Sequence, residues 1–232
     1  MLKLISKRIA VISCTKKSED EAESIPIFKS FKDSNFSNNI ILDIVWKNKE
    51  GLSKTYNRYI DYYKNKNFDY LVFVHDDVYL DDTKLVEKLQ KAFDEFNYDI
   101  VGLAGGLAPK IKHPALWHIM CDKANHRGQV QHPCSSTQVY YTAFGPTPSR
   151  VAIADGVFLA INLPKILESG WRFNENYDFH HYDISSCLDA NKLKLKIGVY
   201  PIHIIHLSPG LSSLEDKKWS ESNKKFLKEY SV

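Results

Sequence analysis

The stretch DYLVFVHDDV, at residues 69–78, places an unbroken apolar run directly before two adjacent carboxylates. A short run of β-branched and aromatic residues predicts a strand that is buried on both faces, as in a parallel sheet. His75, Asp76 and Asp77 then stand at the end of that strand, where open α/β sheets bind their ligands. Adjacent carboxylates repel each other unless a cation or protons relieve the charge, and their oxygens suit Mg²⁺ or Mn²⁺. The stretch therefore predicts either a divalent metal site or an Asp-Asp turn that merely closes the strand.

Further strands and helices alternate on both sides of this stretch. Apolar runs predict strands at residues 8–14, 40–46 and 99–104. Apolar residues at three- and four-residue steps predict helices at residues 51–65 and 85–96. Because strands and helices alternate, we expect an α/β fold with a mostly parallel, Rossmann-like central sheet flanked by helices.

The regular pattern stops between residues 107 and 149. This stretch is rich in Pro, His, Gly and aromatic residues, which predicts an irregular functional loop rather than simple disorder. Trp117 is a candidate platform for the apolar face of a sugar ring, although most such aromatics belong to a core. The histidines of the stretch match no zinc-site spacing.

Two later segments carry further candidate site residues. The apolar run at 151–161 is interrupted by Asp155-Gly156, where a glycine lets the backbone approach a ligand closely or simply forms a turn. Titratable side chains crowd residues 172–183 ahead of a predicted helix, and a closing strand at 202–207 carries His206 near its end. A histidine at a strand end is more often structural than a ligand, so the residues alone do not make His206 a metal ligand.

Composition bounds the class of protein. The 232 residues fit one α/β domain, and a net charge of +3 is too small to indicate nucleic acid as a partner. Four scattered cysteines without a CxxC pair predict reduced thiols in a cytoplasmic protein. Neither a signal peptide nor a membrane-spanning run is recognisable, so any membrane contact would be peripheral. The lysines of an amphipathic helix at 214–230 form either a solvated face or a contact with anionic lipid.

Five short motifs, in this order, resemble the GT-A-fold glycosyltransferases of the family 2-like group. They are the helical segment 51–57, the DXD-type triplet at 75–77, the Asp-Gly pair at 155–156, the catalytic-loop motif at 179–184 and the late His206. The resemblance covers nearly the whole chain and implies a single GT-A domain over residues 1–232. Within that domain the resemblance implies a nucleotide-sugar-binding half at 1–106 and an acceptor and catalytic half at 107–214, followed by a C-terminal amphipathic helix at 215–232.

This resemblance implies transfer of a sugar from a nucleotide-diphosphate sugar, with UDP as the default, to a glycan or lipid-linked acceptor. The cofactor implied is Mn²⁺ or Mg²⁺, and an imidazole ligand favours Mn²⁺. The residues implied are metal ligands Asp77 and His206; nucleotide-sugar contacts Ser13, Thr15, Asn57, His75, Asp76 and Gly156; acceptor contacts Trp117 and His180; and catalytic residues Asp183, His181 and Asp155. Asp183 as general base implies inversion at the anomeric carbon, and His180 and His181 are alternative bases.

Two departures from the family pattern keep other functions open. His75 stands where an acidic residue is usual, and Ser185 stands where relatives often have a second acid. A non-catalytic nucleotide-sugar-binding protein of glycan assembly would tolerate both changes. A nucleotidyltransferase-like enzyme could use a similar sheet. The residues after the first strand, Cys14-Thr15-Lys16-Lys17, lack the Gly-rich triphosphate loop that would favour such an enzyme.

Overall fold

A computed structural model describes residues 7–135, 138–208 and 217–231 of the chain. The strands, in chain order, are β1 Ile9–Cys14, β2 Ile40–Val45, β3 Tyr70–His75, β4 Val78–Leu80, β5 Ile100–Gly102, β6 Ala104–Gly106, β7 His126–Pro133, β8 Val139–Gly145, β9 Ser149–Val151, β10 Ile153–Ala154, β11 Phe158–Asn162, β12 Ile197–Val199 and β13 Ile204–His206. The helices are α1 Pro26–Asp33, α2 Leu52–Tyr63, α3 Leu85–Asp94, α4 Trp117–Met120, α5 Leu163–Ser169, α6 Tyr182–Lys192 and α7 Lys217–Tyr230, with 3₁₀ turns at Glu19–Ser24 and Lys123–Asn125.

The first sheet has seven strands in the order β2-β1-β3-β11-β5-β12-β9. β1 pairs in parallel with β2 and β3, whereas β11 runs antiparallel to both of its neighbours, β3 and β5. The α/β class with a GT-A-like arrangement is confirmed, but the expectation of a mostly parallel sheet is wrong. Strands and helices alternate only in the first half of the sequence. β11 comes later in the sequence but lies in the sheet between β3 and β5.

β3 lies in the middle of the first sheet, as its apolar run predicts. Leu71, Val72, Phe73 and Val74 are completely buried. The ring of Phe73 packs 4.5 Å from that of Tyr56 on α2. The residues that follow β3 are therefore held by a rigid, buried strand.

The second sheet has the order β10-β6-β7-β13-β4, with β8 paired to β7. The expectation of an irregular stretch at 107–149 is wrong, because α4 and the hairpin of β7 and β8 lie there. All seven residues of β8 are exposed or only partly buried, and its sequence lacks the alternation that marks a half-buried strand. The run at 151–161 is likewise divided among β9, β10 and β11, because the chain changes sheets around Asp155.

The C-terminal helix α7 packs an apolar face against the domain, with Trp219 and Phe226 buried and Leu227 packed on the core. Its predicted beginning at residue 214 lies outside the described residues. All four cysteines are free thiols. Among the described residues, no helix has the length and apolar character needed to cross a bilayer.

Candidate functional site

One cavity of about 1010 Å³ lies where the two sheets meet. β3 ends at His75, and the chain turns through Asp77 into β4 of the second sheet. β13 pairs antiparallel with β4, and its register sets His206 opposite Val78. The sheet pairing therefore brings His206 beside residues that are about 130 positions earlier in the sequence.

His75, Asp77 and His206 form a group that could hold a metal ion, because one ligand atom from each lies within 4.8 Å of the others. The Oδ1 of Asp77 is 3.5 Å from the Nε2 of His206, which is longer than an ordinary hydrogen bond. That Oδ1 is buried and has no hydrogen-bond partner. An orphaned carboxylate oxygen facing imidazole nitrogens fits a cation, since a buried charge is costly unless it is paired.

The protonation states of His75 and Asp77 suit the binding of a cation. Burial lowers the pKa of His75, so its imidazole is neutral. Burial alone would raise the pKa of Asp77, but the neighbouring His206 holds that pKa below its usual value. The Tyr182 hydroxyl donates to the carbonyl O of Gly156 at 2.7 Å. The Nε2 of His75, 3.2 Å from that hydroxyl, is then the donor between them, which leaves its Nδ1 with a lone pair.

Two carboxylates, those of Asp155 and Asp183, line the same cavity. Asp183, in the first turn of α6, accepts a hydrogen bond from the backbone N–H of Gly156 at 2.8 Å. A Cβ at residue 156 would clash with the Tyr182 hydroxyl and come within 2.9 Å of the Asp183 Cβ, so the position requires glycine. Burial, and then the nearby Asp155, raise the pKa of Asp183 to about 7. A carboxyl with that pKa, lining a cavity, is suited to proton transfer near neutral pH.

Asp155 is held by two donors. Its Oδ1 accepts from the backbone N–H of Val157 and its Oδ2 from the indole Nε1 of Trp117, each at 2.9 Å. The Trp117 ring is buried against Phe144, with 4.7 Å between ring centroids. The structure therefore makes Trp117 a support that orients Asp155 at the cavity wall.

His181 lies in the wall between the cavity and helix α7. Its Nδ1 is 2.7 Å from the Oγ of Ser222, which donates to the carbonyl O of His180. Its ring stacks on Phe226 with 5.5 Å between centroids. Burial lowers the pKa of His181 to about 4, and the buried Nε2 has no hydrogen-bond partner. This imidazole is neutral and enclosed, so its position favours a role in fixing the start of α6.

The structure brings most of the predicted site residues together around this cavity and leaves four outside its lining. The predicted residues at the cavity are His75, Asp77, Trp117, Asp155, Gly156, His180, His181, Asp183 and His206. Outside it, Ser13 is fully buried within β1, and Thr15 accepts a hydrogen bond from the Lys17 N–H. Asp76 follows β3 but does not belong to the possible metal group.

Asn57 also lies outside the cavity lining, and all of its hydrogen bonds are structural. Its Nδ2 donates to the carbonyl O of Phe173 and to Glu175, and its Oδ1 accepts from the Phe173 N–H, at 2.8–2.9 Å. The amide thereby fixes the segment that leads into α6. Its assignment as a nucleotide contact stays a prediction.

We expect Asn57→Ala to lower the free energy of unfolding by about 2–4 kcal/mol, because it leaves buried backbone groups of Phe173 unpaired. Denaturant unfolding measures this change. Asn191→Ala, which removes one exposed hydrogen bond to Ala152, should cost about 1 kcal/mol or less and serves as the control. Weaker nucleotide binding by Asn57→Ala at unchanged stability would instead identify Asn57 as a ligand contact.

Several cavity residues with aromatic or imidazole side chains were not predicted as site residues, among them Tyr182, Phe179, His132 and Trp219. Tyr182 and Phe179 stand within the motif at 179–184, so the motif itself could have indicated them. The pairing of β7 with β13 brings His132 beside His206 at the cavity. Nothing local in the sequence indicates that pairing.

Comparisons with known proteins give the following matches. A family model described as "Glycosyltransferase like family" matches residues 10–230. None of the curated proteins compared with this chain matches it. Among solved structures, the crystal structure of A197 from STIV is similar, with 15% sequence identity and a TM-score of 0.48, over 83% of this chain and 81% of that one.

Proposed function

This chain belongs to a glycosyltransferase-like family, and from that membership we propose that it transfers a sugar from a nucleotide-diphosphate sugar to a glycan or lipid-linked acceptor. The observation that carries the proposal is one cavity that is lined by two chemically distinct groups of side chains. One group is suited to a divalent cation, and the other includes a carboxyl whose pKa lies near neutrality.

The residues that would hold the cation are Asp77, His206 and His75. When bound, a divalent cation supplies Lewis-acid stabilisation of the negative charge that builds on the departing diphosphate. Mixed imidazole and carboxylate ligands favour Mn²⁺ over Mg²⁺, although two imidazoles and one carboxylate also hold iron(II) in other proteins. We therefore propose Mn²⁺ and include iron(II) among the metals to be tested.

Asp183 is the proposed general base. Sugar transfer makes the anomeric carbon oxocarbenium-like and requires that the acceptor hydroxyl lose its proton as it attacks. The carboxylate of Asp183 accepts that proton, while the hydrogen bond from the Gly156 N–H fixes its orientation. Asp155, held by Trp117, orients a sugar hydroxyl. Direct displacement of the diphosphate inverts the anomeric configuration.

The experiment that tests this function is a thermal-shift panel of UDP, GDP, CDP and ATP, each with Mn²⁺, Mg²⁺, Fe²⁺ or no metal. A ligand that binds only the folded state raises stability by about 2.7 kcal/mol at a hundredfold excess over its Kd. We expect one nucleoside diphosphate to stabilise the protein and Mn²⁺ to be required. Stabilisation by ATP alone would favour a nucleotidyltransferase, and no stabilisation by any nucleotide would contradict the proposal.

The activity should depend on pH through Asp183. Because its pKa is raised to about 7, the carboxyl is protonated below that pH and cannot act as a base. We expect kcat/KM for transfer to rise tenfold per pH unit well below 7 and to level off above it. A pH–rate profile measures this, and a flat profile from pH 5 to pH 8 would contradict the assignment.

Contact with a membrane surface remains a proposal for helix α7. Lys218, Lys224, Lys225 and Lys228 lie on its exposed side, although Lys225 also donates to the carbonyl O of Asn176. Lysines near an anionic surface each contribute about 1 kcal/mol. Co-sedimentation with vesicles containing anionic lipid should therefore exceed that with neutral vesicles, and equal sedimentation with both would exclude the contact.

A further inference from the structure

Five aromatic rings form a continuous row that passes through the possible metal group. In order they are Tyr140, His132, His206, His75 and Phe179, with successive centroids 5.6, 5.7, 6.4 and 6.0 Å apart. The two central rings belong to the metal group. The outer rings, Tyr140 and Phe179, are 50% and 55% exposed. The row therefore runs from the exposed ring of Tyr140, through the possible metal group, to the exposed ring of Phe179.

The hairpin of β7 and β8 places Tyr140 on the cavity side of the second sheet. Tyr140 is paired directly with His132, and directly opposed residues of an antiparallel pair share one face. The next residue, Tyr141, is paired with Gln131 and points to the other face. There its hydroxyl lies 3.3 Å from the Nδ1 of His203. Two neighbouring tyrosines of almost equal exposure, 50% and 49%, therefore lie on opposite faces.

The chemistry of this platform, formed by Tyr140 and His132, matches a neutral ligand with apolar and hydroxyl-bearing faces. The segments around the platform, QVQHP at 129–133 and QVYYTAFG at 138–145, contain no Lys, Arg, Asp or Glu. Arg127, at the other end of β7, donates to the carbonyl oxygens of Ala124 and His126. An exposed tyrosine offers a large, rigid surface together with a hydroxyl. An anionic headgroup or a phosphate would find no lysine or arginine in these two segments. A pyranose ring, with its C–H face and hydroxyl rim, fits both features.

The position of the platform assigns it to the acceptor rather than to the donor. In open sheets, nucleotides bind outside the carboxyl ends of parallel strands, and here β1 and β3 are the central parallel pair. The platform lies on the second sheet, and its His132 ring lies 5.7 Å from that of His206. It is therefore separate from the edge of β1 but adjoins the possible metal group.

We propose that Tyr140 and His132 form a binding subsite for a neutral saccharide acceptor of at least two sugar units. One unit stacks on Tyr140 while the unit to be modified reaches the cavity at Asp183. This inference rests on the proposed function, and it makes an oligosaccharide, rather than a single lipid-linked sugar, the acceptor. The platform determines which acceptor binds and takes no part in bond making.

The test compares Tyr140→Ala with its matched neighbour Tyr141→Ala, using Tyr140→Trp as a conservative variant. The probe is an array of neutral di- to hexasaccharides of glucose, galactose, mannose and N-acetylglucosamine, followed by calorimetric titration of the best ligand. We expect wild type to bind at least one glycan, Tyr140→Ala to weaken that affinity about tenfold or more, and Tyr141→Ala to change it by no more than about twofold. Tyr140→Trp should retain binding.

Several results would overturn the inference. The first is that wild type binds no glycan of the array, and the second is that the two alanine variants have equal effects. The third is that wild type self-associates in sedimentation and Tyr140→Ala abolishes this association, which would identify a second copy of the chain as the occupant. The nucleotide panel on the same variants keeps the two proposals apart. Normal nucleotide stabilisation with no effect of Tyr140 on glycans would overturn the platform alone. Tyr140-dependent glycan binding without nucleotide stabilisation would overturn the transferase proposal and leave a glycan-binding surface.

Discussion

Replacing Asp183 with Asn should lower kcat for sugar transfer by about 10²- to 10⁴-fold, the range that a general base contributes. The substitution removes the proton-accepting carboxylate. It retains an oxygen that can accept the hydrogen bond from the Gly156 N–H, whose nitrogen is 2.8 Å from Oδ2 of Asp183 in wild type. We therefore expect an intact cavity and unchanged stabilisation by nucleotide and metal. Steady-state kinetics with the preferred donor, together with thermal shifts of the same variant, measure both quantities.

Asp189→Asn is the matched control. Asp189 lies on the same helix, and its Oδ2 accepts from Tyr230 and Asn174 at 2.8 and 3.2 Å, away from the cavity lining. This variant should keep kcat within about threefold of wild type, because it touches no reacting group. If Asp183→Asn retained full activity, the base would lie elsewhere, and His180 would be the next candidate at the cavity wall.

Replacing Asp77 with Asn should weaken Mn²⁺ binding at least about 100-fold. Loss of a group that only orients a metal ligand already lowers metal affinity about 10- to 100-fold. Asp77 supplies the carboxylate of the group, and its Oδ1 is buried without a hydrogen-bond partner. Calorimetric titration of Mn²⁺ into the nucleotide-free protein measures the affinity directly. Metal-dependent stabilisation by nucleotide should disappear in the same variant.

The neighbouring carboxylate provides the control for this experiment. Asp76 has the same charge and comes one residue earlier but lies outside the group of possible ligands. Asp76→Asn should bind Mn²⁺ with an affinity within about threefold of wild type, apart from a small loss of long-range attraction. Equal losses of affinity in the two variants would indicate a diffuse acidic surface instead of a defined site.

The parts of this site that follow from local sequence were predictable. The run at 70–74 fixes a buried strand, and Asp77 must stand at its end. Asp155-Gly156 interrupts an apolar run where the chain changes sheets, and the crowded motif at 179–184 leads into helix α6. Each of these signals lies within about ten consecutive residues. His206 is predicted as a metal ligand only from its place in the order of the family motifs. Its local sequence alone predicts an ordinary structural histidine.

The parts that depend on long-range pairing were not predictable. His75 lies in the group that could hold a metal ion, because β13 places His206 close to it; its assignment as a sugar contact stays a prediction. Trp117 supports Asp155 through its indole nitrogen, a contact between residues 38 positions apart in the sequence. The hairpin of β7 and β8 lacks a clear alternating pattern, so neither its strands nor the two faces of Tyr140 and Tyr141 could be read from the sequence.

The most direct test of the account is NMR observation of donor consumption. Wild type would be mixed with each of UDP-glucose, UDP-galactose, UDP-N-acetylglucosamine and GDP-mannose, with Mn²⁺ and a glycan that it binds. We expect one donor to be consumed only when metal is present, with a product anomeric coupling of the opposite configuration and no consumption by Asp183→Asn. A product with retained configuration, or turnover that persists in Asp183→Asn, would contradict the proposed mechanism.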